Sequence, residues 1–285
     1  MNGATAGDFL DAMARSSAAR VAVARAREND AALRRRALAA APAPRLALSA
    51  AGFDLIAELK LRSPAQGVLG AAGAELEARV ASYARAGAAI VSVLTEPGRF
   101  DGSLEHLGRA AATLAPLGVP AMRKDFLVDT YQLYEARASG AGGVLLIVRM
   151  LPRPRLVELL DCAAELGLFV LLEAFDAADA AASGELAALW RGRGEDCLVG
   201  LNCRDLATLE IRPERLESLL PALPPRQPRV AESGLATAAD AARLARAGFA
   251  LALVGTALMG AADPGELVRQ MIASGRAAAA RAVRA

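Results

Sequence analysis

One pattern repeats along this chain: a short apolar run, a turn, then a stretch whose apolar residues recur at spacings of three and four. Eight runs qualify as strands: Asp54–Lys60, Ala88–Thr95, Pro120–Phe126, Gly142–Val148, Leu168–Ala174, Leu198–Arg204, Arg229–Gly234 and Ala250–Gly255. Each is rich in Leu, Ile or Val without strict alternation, as expected of parallel strands covered on both faces. Between them lie helical faces such as Leu76, Val80, Tyr83 and Ala84, or Leu156, Leu159, Leu160 and Ala163. Strand starts recur about every 20–35 residues, the length of one βα unit. Eight such units predict an α/β fold, a (β/α)8 TIM barrel. A doubly wound open sheet is the competitor, but the first strand–turn, Lys60–Gly70, has no GxGxxG.

Residues 1–45 are expected to form an amino-terminal helical extension, and 46–285 a barrel that is one structural domain. The extension reads as helix from an N-cap at Asp8, through Leu10, Met13 and Val21, to the stop at Pro42 and Pro44. The Arg-rich tail Gly275–Ala285 reads as a solvated helix end.

Composition narrows the function. The 33 Lys+Arg against 31 Asp+Glu leave a charge of +2, which argues against a nucleic-acid or membrane-surface partner. The longest uncharged run, Ala247–Ala262, is short of the roughly 18 residues of a membrane span. Asp8 and Asp11 precede any apolar run, unlike a secretory signal. Cys162, Cys197 and Cys203 are odd in number without CxxC spacing, so a reduced, cytoplasmic setting is expected. With one histidine, His106, too few ligands exist for a standard zinc site; no metal and no cofactor are assigned. Only Lys60 and Lys124 are lysines. Arginine stays protonated, so any proton-transferring ammonium must be one of these two.

Barrel chemistry sits at the carboxyl ends of the strands. Those ends carry Glu58 and Lys60, which share a face by parity, then Lys124, Glu173, Asn202 and Arg204, and Glu232 with Ser233. A polar mouth can also be a satisfied salt-bridge network. However, burying charges on five strands adds little stability over an apolar layer, which favours a reaction site. Glycines after the last two strands, Gly234 and Gly255, with Thr256, suit a phosphate. Arg62 and Ser63, after the first strand, supply a cation and a hydroxyl. Cys203 alternates away from Asn202 and Arg204 and should face the helices. His106 falls on a helix away from the mouth, and Trp190 anchors its helix on the barrel.

Glu58-Leu59-Lys60 with Ser63-Pro64, Ser92-Val93-Leu94-Thr95-Glu96-Pro97, Arg123-Lys124-Asp125-Phe126, Asn202-Cys203-Arg204-Asp205-Leu206 and Glu232-Ser233-Gly234 together resemble the indole-3-glycerol-phosphate synthase family of tryptophan biosynthesis. The resemblance runs in order from about residue 8 to 272 and includes the amino-terminal extension. It implies a carboxy-lyase without a cofactor. Such an enzyme converts 1-(2-carboxyphenylamino)-1-deoxyribulose 5-phosphate to indole-3-glycerol phosphate with loss of carbon dioxide and water. Lys124 matches the general acid that protonates the ketone oxygen during ring closure. Lys60, Glu58 and Glu173 match the groups that divide the dehydration. Asn202 matches a residue orienting the hydroxyls, supported by Arg204 and Glu232, with Ser233 at the edge. Arg62, Ser63, Gly234, Gly255 and Thr256 match the phosphate site.

The chain departs from the family at Cys203, where Asn or Ser is usual, at Ala65-Gln66, which replaces Ser-Lys, and at Leu61, where a basic or small polar residue is common. These departures leave open a paralogue serving a specialised indole pathway. A different phosphate-binding barrel enzyme and a non-catalytic ligand sensor are the other readings. The expected partner is an anionic phosphorylated small molecule, bound by a monomer or weak homo-oligomer.

Overall fold

The computed structural model describes residues 6–63, 67–69, 75–190, 197–206, 208 and 210–282. Eight parallel strands close on themselves: β1 (Asp54–Leu59), β4 (Ile90–Leu94), β5 (Ala121–Lys124), β6 (Gly143–Ile147), β7 (Phe169–Ala174), β8 (Cys197–Asn202), β9 (Arg229–Glu232) and β10 (Leu251–Val254). Around the ring the order is β1-β10-β9-β8-β7-β6-β5-β4, and β4 returns to β1. Each expected strand is present, trimmed by at most two residues at either end, and β8 begins one residue earlier than expected, at Cys197. A two-residue ribbon, β2 (Arg62–Ser63) against β3 (Gly67–Val68), follows β1 and lies outside the barrel.

Strand parity sorts the side chains into two cores. Inward-facing Ile56, Ile90, Met122, Leu145, Leu171, Leu198 and Val230 fill the barrel. Outward-facing Leu55, Val91, Val144, Leu172 and Val199 pack beneath the helices. Those helices are α3 (Glu75–Arg85), α5 (Leu104–Leu114), α6 (Thr130–Ala138), α7 (Arg153–Glu165), α8 (Ala177–Trp190), α9 (Glu214–Leu219), α10 (Ala238–Ala247) and α12 (Pro264–Ala282). The short α4 (Pro97–Phe100) and α11 (Thr256–Gly260) sit at the mouth, after β4 and β10.

Two expectations for the ends of the chain are corrected. Residues 6–39 form two helices, α1 (Ala6–Arg27) and α2 (Asp30–Ala39). Asn29 breaks the run because its side chain accepts from the Ala32 N–H and caps α2, whereas Asp8 lies inside α1. At the other end, the helix does finish on exposed residues, 280–282, but Gly275 and Ala278 before them are buried. A Cβ on Gly275 would strike the Phe53 ring, and Arg276 donates to the Phe53 carbonyl and to Asp54 Oδ1 at 2.7 Å. That close approach seats α12 across the bottom of β1. Among the described residues, no helix is long and apolar enough to cross a membrane.

Candidate active site

A cavity of about 680 Å3 opens at the carboxyl ends of the strands. Lys60, Glu58, Lys124, Glu173, Asn202, Arg204, Glu232 and Ser233 all line it, so the eight expected catalytic positions converge. Gly234, Gly255 and Thr256 line it too. Arg62 stands apart, exposed on β2 with Nη1 3.6 Å from Asp101 Oδ1. The side chain of Ser63, and Ala65 and Gln66, lie outside the described residues.

Glu58 is the hub of the cationic side. Its Oε1 lies 3.1 Å from Lys60 Nζ and its Oε2 3.7 Å from Lys124 Nζ. Burial pushes the Glu58 carboxyl up, but the two ammonium groups outweigh it and hold Glu58 below the usual carboxylate range. Burial likewise presses the Lys124 ammonium down, and Glu58, Glu173 and Glu232 overcome it, so Lys124 is raised and stays protonated. Lys60 Nζ donates to Thr256 Oγ1 at 3.1 Å, linking the ion pair to the first turn of α11.

The opposite side is organised by carboxylates. Asn202 Nδ2 donates to Glu173 Oε1 at 2.6 Å, and Asn202 Oδ1 accepts from the Arg204 N–H at 2.9 Å. Glu232 is 1% exposed, and neither of its oxygens has a hydrogen-bond partner. Burial first, and then repulsion from Glu173, raise Glu232 well above the usual carboxylate range. One mouth therefore holds an ammonium raised at Lys124, a carboxyl lowered at Glu58 and a carboxyl raised at Glu232, and such opposed perturbation is the equipment of proton transfer.

Two glycines make this charge density possible. A Cβ on Gly200 would overlap Glu232 Oε1, and one on Gly255 would overlap Glu58 Oε1. After β9, Ser233 and Gly234 both adopt left-handed backbone, with φ of 70° and 76°. Only glycine adopts this readily, and successive turns of this kind aim N–H groups at an anion. Cys203 is fully buried in the outer core, as parity requires, and its thiol reaches the Ser233 carbonyl at 3.4 Å. His106 is on α5, away from the cavity, and Trp190 is buried under α8.

Several residues escaped the reading of the chain. Lys124 is flanked by Arg123 and Asp125, which belong to a buried network that touches the cavity through Asp125. Asp125 accepts from Arg20 Nη1 and Nη2 (3.0 and 2.8 Å), from the Thr95 hydroxyl at 2.7 Å and from Arg123 Nη2 at 3.2 Å. Although burial raises it, these cations and donors bring Asp125 down to about 2. The network ties α1 to the strand that carries Lys124. It also seats Phe9 and Leu10 over the mouth, with Phe9 edge-on to Phe126 at 5.9 Å. Phe100, Phe126, Ile147 and Phe175 extend this apolar wall. The available signal was parity: Phe175 follows Glu173 by two residues, and Arg123 and Asp125 flank Lys124.

A family model described as "Indole-3-glycerol phosphate synthase" matches residues 10–271. The indole-3-glycerol phosphate synthase of Kineococcus radiotolerans is 41% identical over 233 residues, 82% of this chain and 81% of that protein. The protein of the same name from Nocardioides sp. is 44% identical over 222 residues, 78% of this chain and 81% of its own. Among solved structures, 3-hexulose-6-phosphate synthase from Salmonella typhimurium superposes with a TM-score of 0.57 at 15% identity, covering 80% of this chain and 99% of that one. At that identity the likeness is one of fold.

Proposed function

The chain belongs to the indole-3-glycerol phosphate synthase family, and from that premise we propose how its own residues carry the family's reaction. It is a lyase of tryptophan biosynthesis that forms indole-3-glycerol phosphate. The substrate, 1-(2-carboxyphenylamino)-1-deoxyribulose 5-phosphate, lies across the mouth. Its phosphate rests on the left-handed Ser233–Gly234 turn and on Gly255 and Thr256, where backbone N–H groups meet the start of α11. Arg62, exposed on the ribbon after β1 and paired with Asp101, stands apart from this phosphate site.

Ring closure joins the carboxyl-bearing aryl carbon to the ketone carbon. The carbonyl π electrons move to oxygen, and Lys124 delivers its proton there. Carbon dioxide then leaves, its bonding pair returning to the ring and restoring aromaticity. Dehydration expels the new hydroxyl as water, which requires one proton donated to that oxygen and one removed from the nitrogen-bearing side. Lys60, Glu58 and Glu173 supply these transfers, while Asn202, Arg204, Glu232 and Ser233 hold the hydroxyls in register.

The observation that carries this reading is the position of Lys124. It is raised by three surrounding carboxyl groups and so is a stable proton donor at neutral pH, facing the cavity across from Glu173 and Asn202. A sensor needs affinity but no such set of opposed acids and bases. Mixing the purified protein with the carboxyphenylamino substrate should generate indole fluorescence together with one carbon dioxide per turnover; no signal at high protein concentration would overturn the assignment. The enzyme works in the cytoplasm as a monomer or weak homo-oligomer, and its three thiols are free and buried, in keeping with a reduced compartment.

A further inference from the structure

The wall of the cavity contains one aromatic residue that is anchored far beyond what packing requires. Phe175 is 3% exposed and lines the cavity two residues beyond Glu173. Its N–H donates to Asp179 Oδ2 at 2.9 Å, and its carbonyl accepts from Arg215 Nη2 at 2.7 Å. The guanidinium of Arg149 lies over its ring, 5.3 Å from the centroid. Arg149 is itself held by Asp179, at 2.6 Å from Nε, and by Asp176. Asp179 therefore grips both the backbone of Phe175 and the cation that covers its ring. A space-filling wall residue needs none of these partners, and the Arg149–Asp179 pair, 27% and 9% exposed, is held at some desolvation cost.

The cavity is also chemically divided. Gly234, Gly255 and Thr256 follow β9 and β10, whereas Phe126 and Ile147 lie at the ends of β5 and β6. In the eight-strand ring β9 stands opposite β5, and β10 opposite β6. A substrate whose phosphate occupies the first side presents its aryl ring to the second, where Phe175 extends the wall from β7.

We infer that Phe175 is a specificity-determining residue for the aryl ring of the substrate, and that Arg149 is a positioning residue that fixes the Phe175 ring. The ligand class is an N-aryl aminodeoxyketose phosphate whose ring is unsubstituted on the edge that meets Phe175. This inference rests on the ring-closing reading above, with the aryl group opposite the phosphate.

The test is steady-state kinetics with the unsubstituted substrate and with analogues carrying one methyl group at each open ring position. Turnover of the unsubstituted substrate by wild-type enzyme reports on the underlying reading; an inert wild type overturns that reading first. The ratio of kcat/KM, methylated over unsubstituted, reports on the inference. Phe175→Ala should raise this ratio roughly tenfold or more at one ring position, and Phe175→Trp should lower it at the same position. Arg149→Met should move the ratio in the direction of Phe175→Ala, mainly through KM, and Arg149→Lys should return it toward wild type. Ratios unchanged in both Phe175 variants contradict the specificity role. A wild-type ratio in Arg149→Met, with Phe175→Ala shifted, contradicts the positioning role.

Discussion

Gly255 faces the carboxylate of Glu58 so closely that a methyl group on Gly255 would overlap Glu58 Oε1. The bare backbone after β10 is what lets an ionised carboxylate stand inside the barrel between two ammonium groups. Gly255 has φ of −121° and ψ of −70°, outside the left-handed region, and the first group a side chain there would meet is the Glu58 carboxylate. Gly255→Ala should displace Glu58, cost about 1–3 kcal/mol through overpacking and lower kcat/KM by about tenfold or more. Thermal unfolding and the kinetics of the variant check this together; unchanged kinetics would mean that the Glu58 position is not critical.

Glu58 also raises the proton affinity of Lys124. Burial works against the ammonium, and the carboxylates reverse that effect. Neutralising one of them should let Lys124 lose its proton at lower pH. In Glu58→Gln, whatever turnover remains should therefore show its alkaline limb shifted to lower pH than in wild type, measured as kcat/KM against pH. A limb that stays in place or moves upward would separate Glu58 from the titration of Lys124.

Asp125 couples the amino-terminal extension to the strand that carries the general acid. Its folded carboxyl titrates at about 2, down from an ordinary 3.8, despite its burial. A depressed folded value means that the stabilisation is complete above the unfolded value, near pH 4, and is lost as pH falls through about 2. The difference corresponds to roughly 2–3 kcal/mol. Asp125→Asn should lower the melting temperature at pH 7 and flatten the loss of stability between pH 4 and pH 2. Thermal melts across that range give the comparison, and an acid limb as steep as that of wild type would place the coupling elsewhere.

The barrel is legible in the chain because parallel strands covered on both faces must be short, apolar and regularly spaced, and the absence of GxGxxG after the first of the eight argues against the doubly wound sheet that shares this pattern. The converging site is legible for a related reason. Lys124, Glu173 and Glu232 are polar residues in segments otherwise too apolar to tolerate them, and the fold places all strand ends at one mouth. What stays hidden depends on contacts between distant segments. Arg20 looks like any other arginine of a helical extension until the fold brings it to Asp125, 105 positions along the chain. Gly200 reads as one more small residue of β8 until the Glu232 carboxyl fills the space beside it. The break at Asn29 was a local signal, a side-chain cap, obscured by helix-favouring alanine and arginine on both sides.

The central claim is that the proton for ring closure comes from the ammonium of Lys124. Lys124→Met should still bind the phosphorylated substrate, seen by calorimetry, while its turnover in the indole-fluorescence assay falls at least ~100-fold. Lys124→Arg should fail in the same way, because a guanidinium does not release its proton at working pH. Turnover near that of wild type in either variant would contradict the claim.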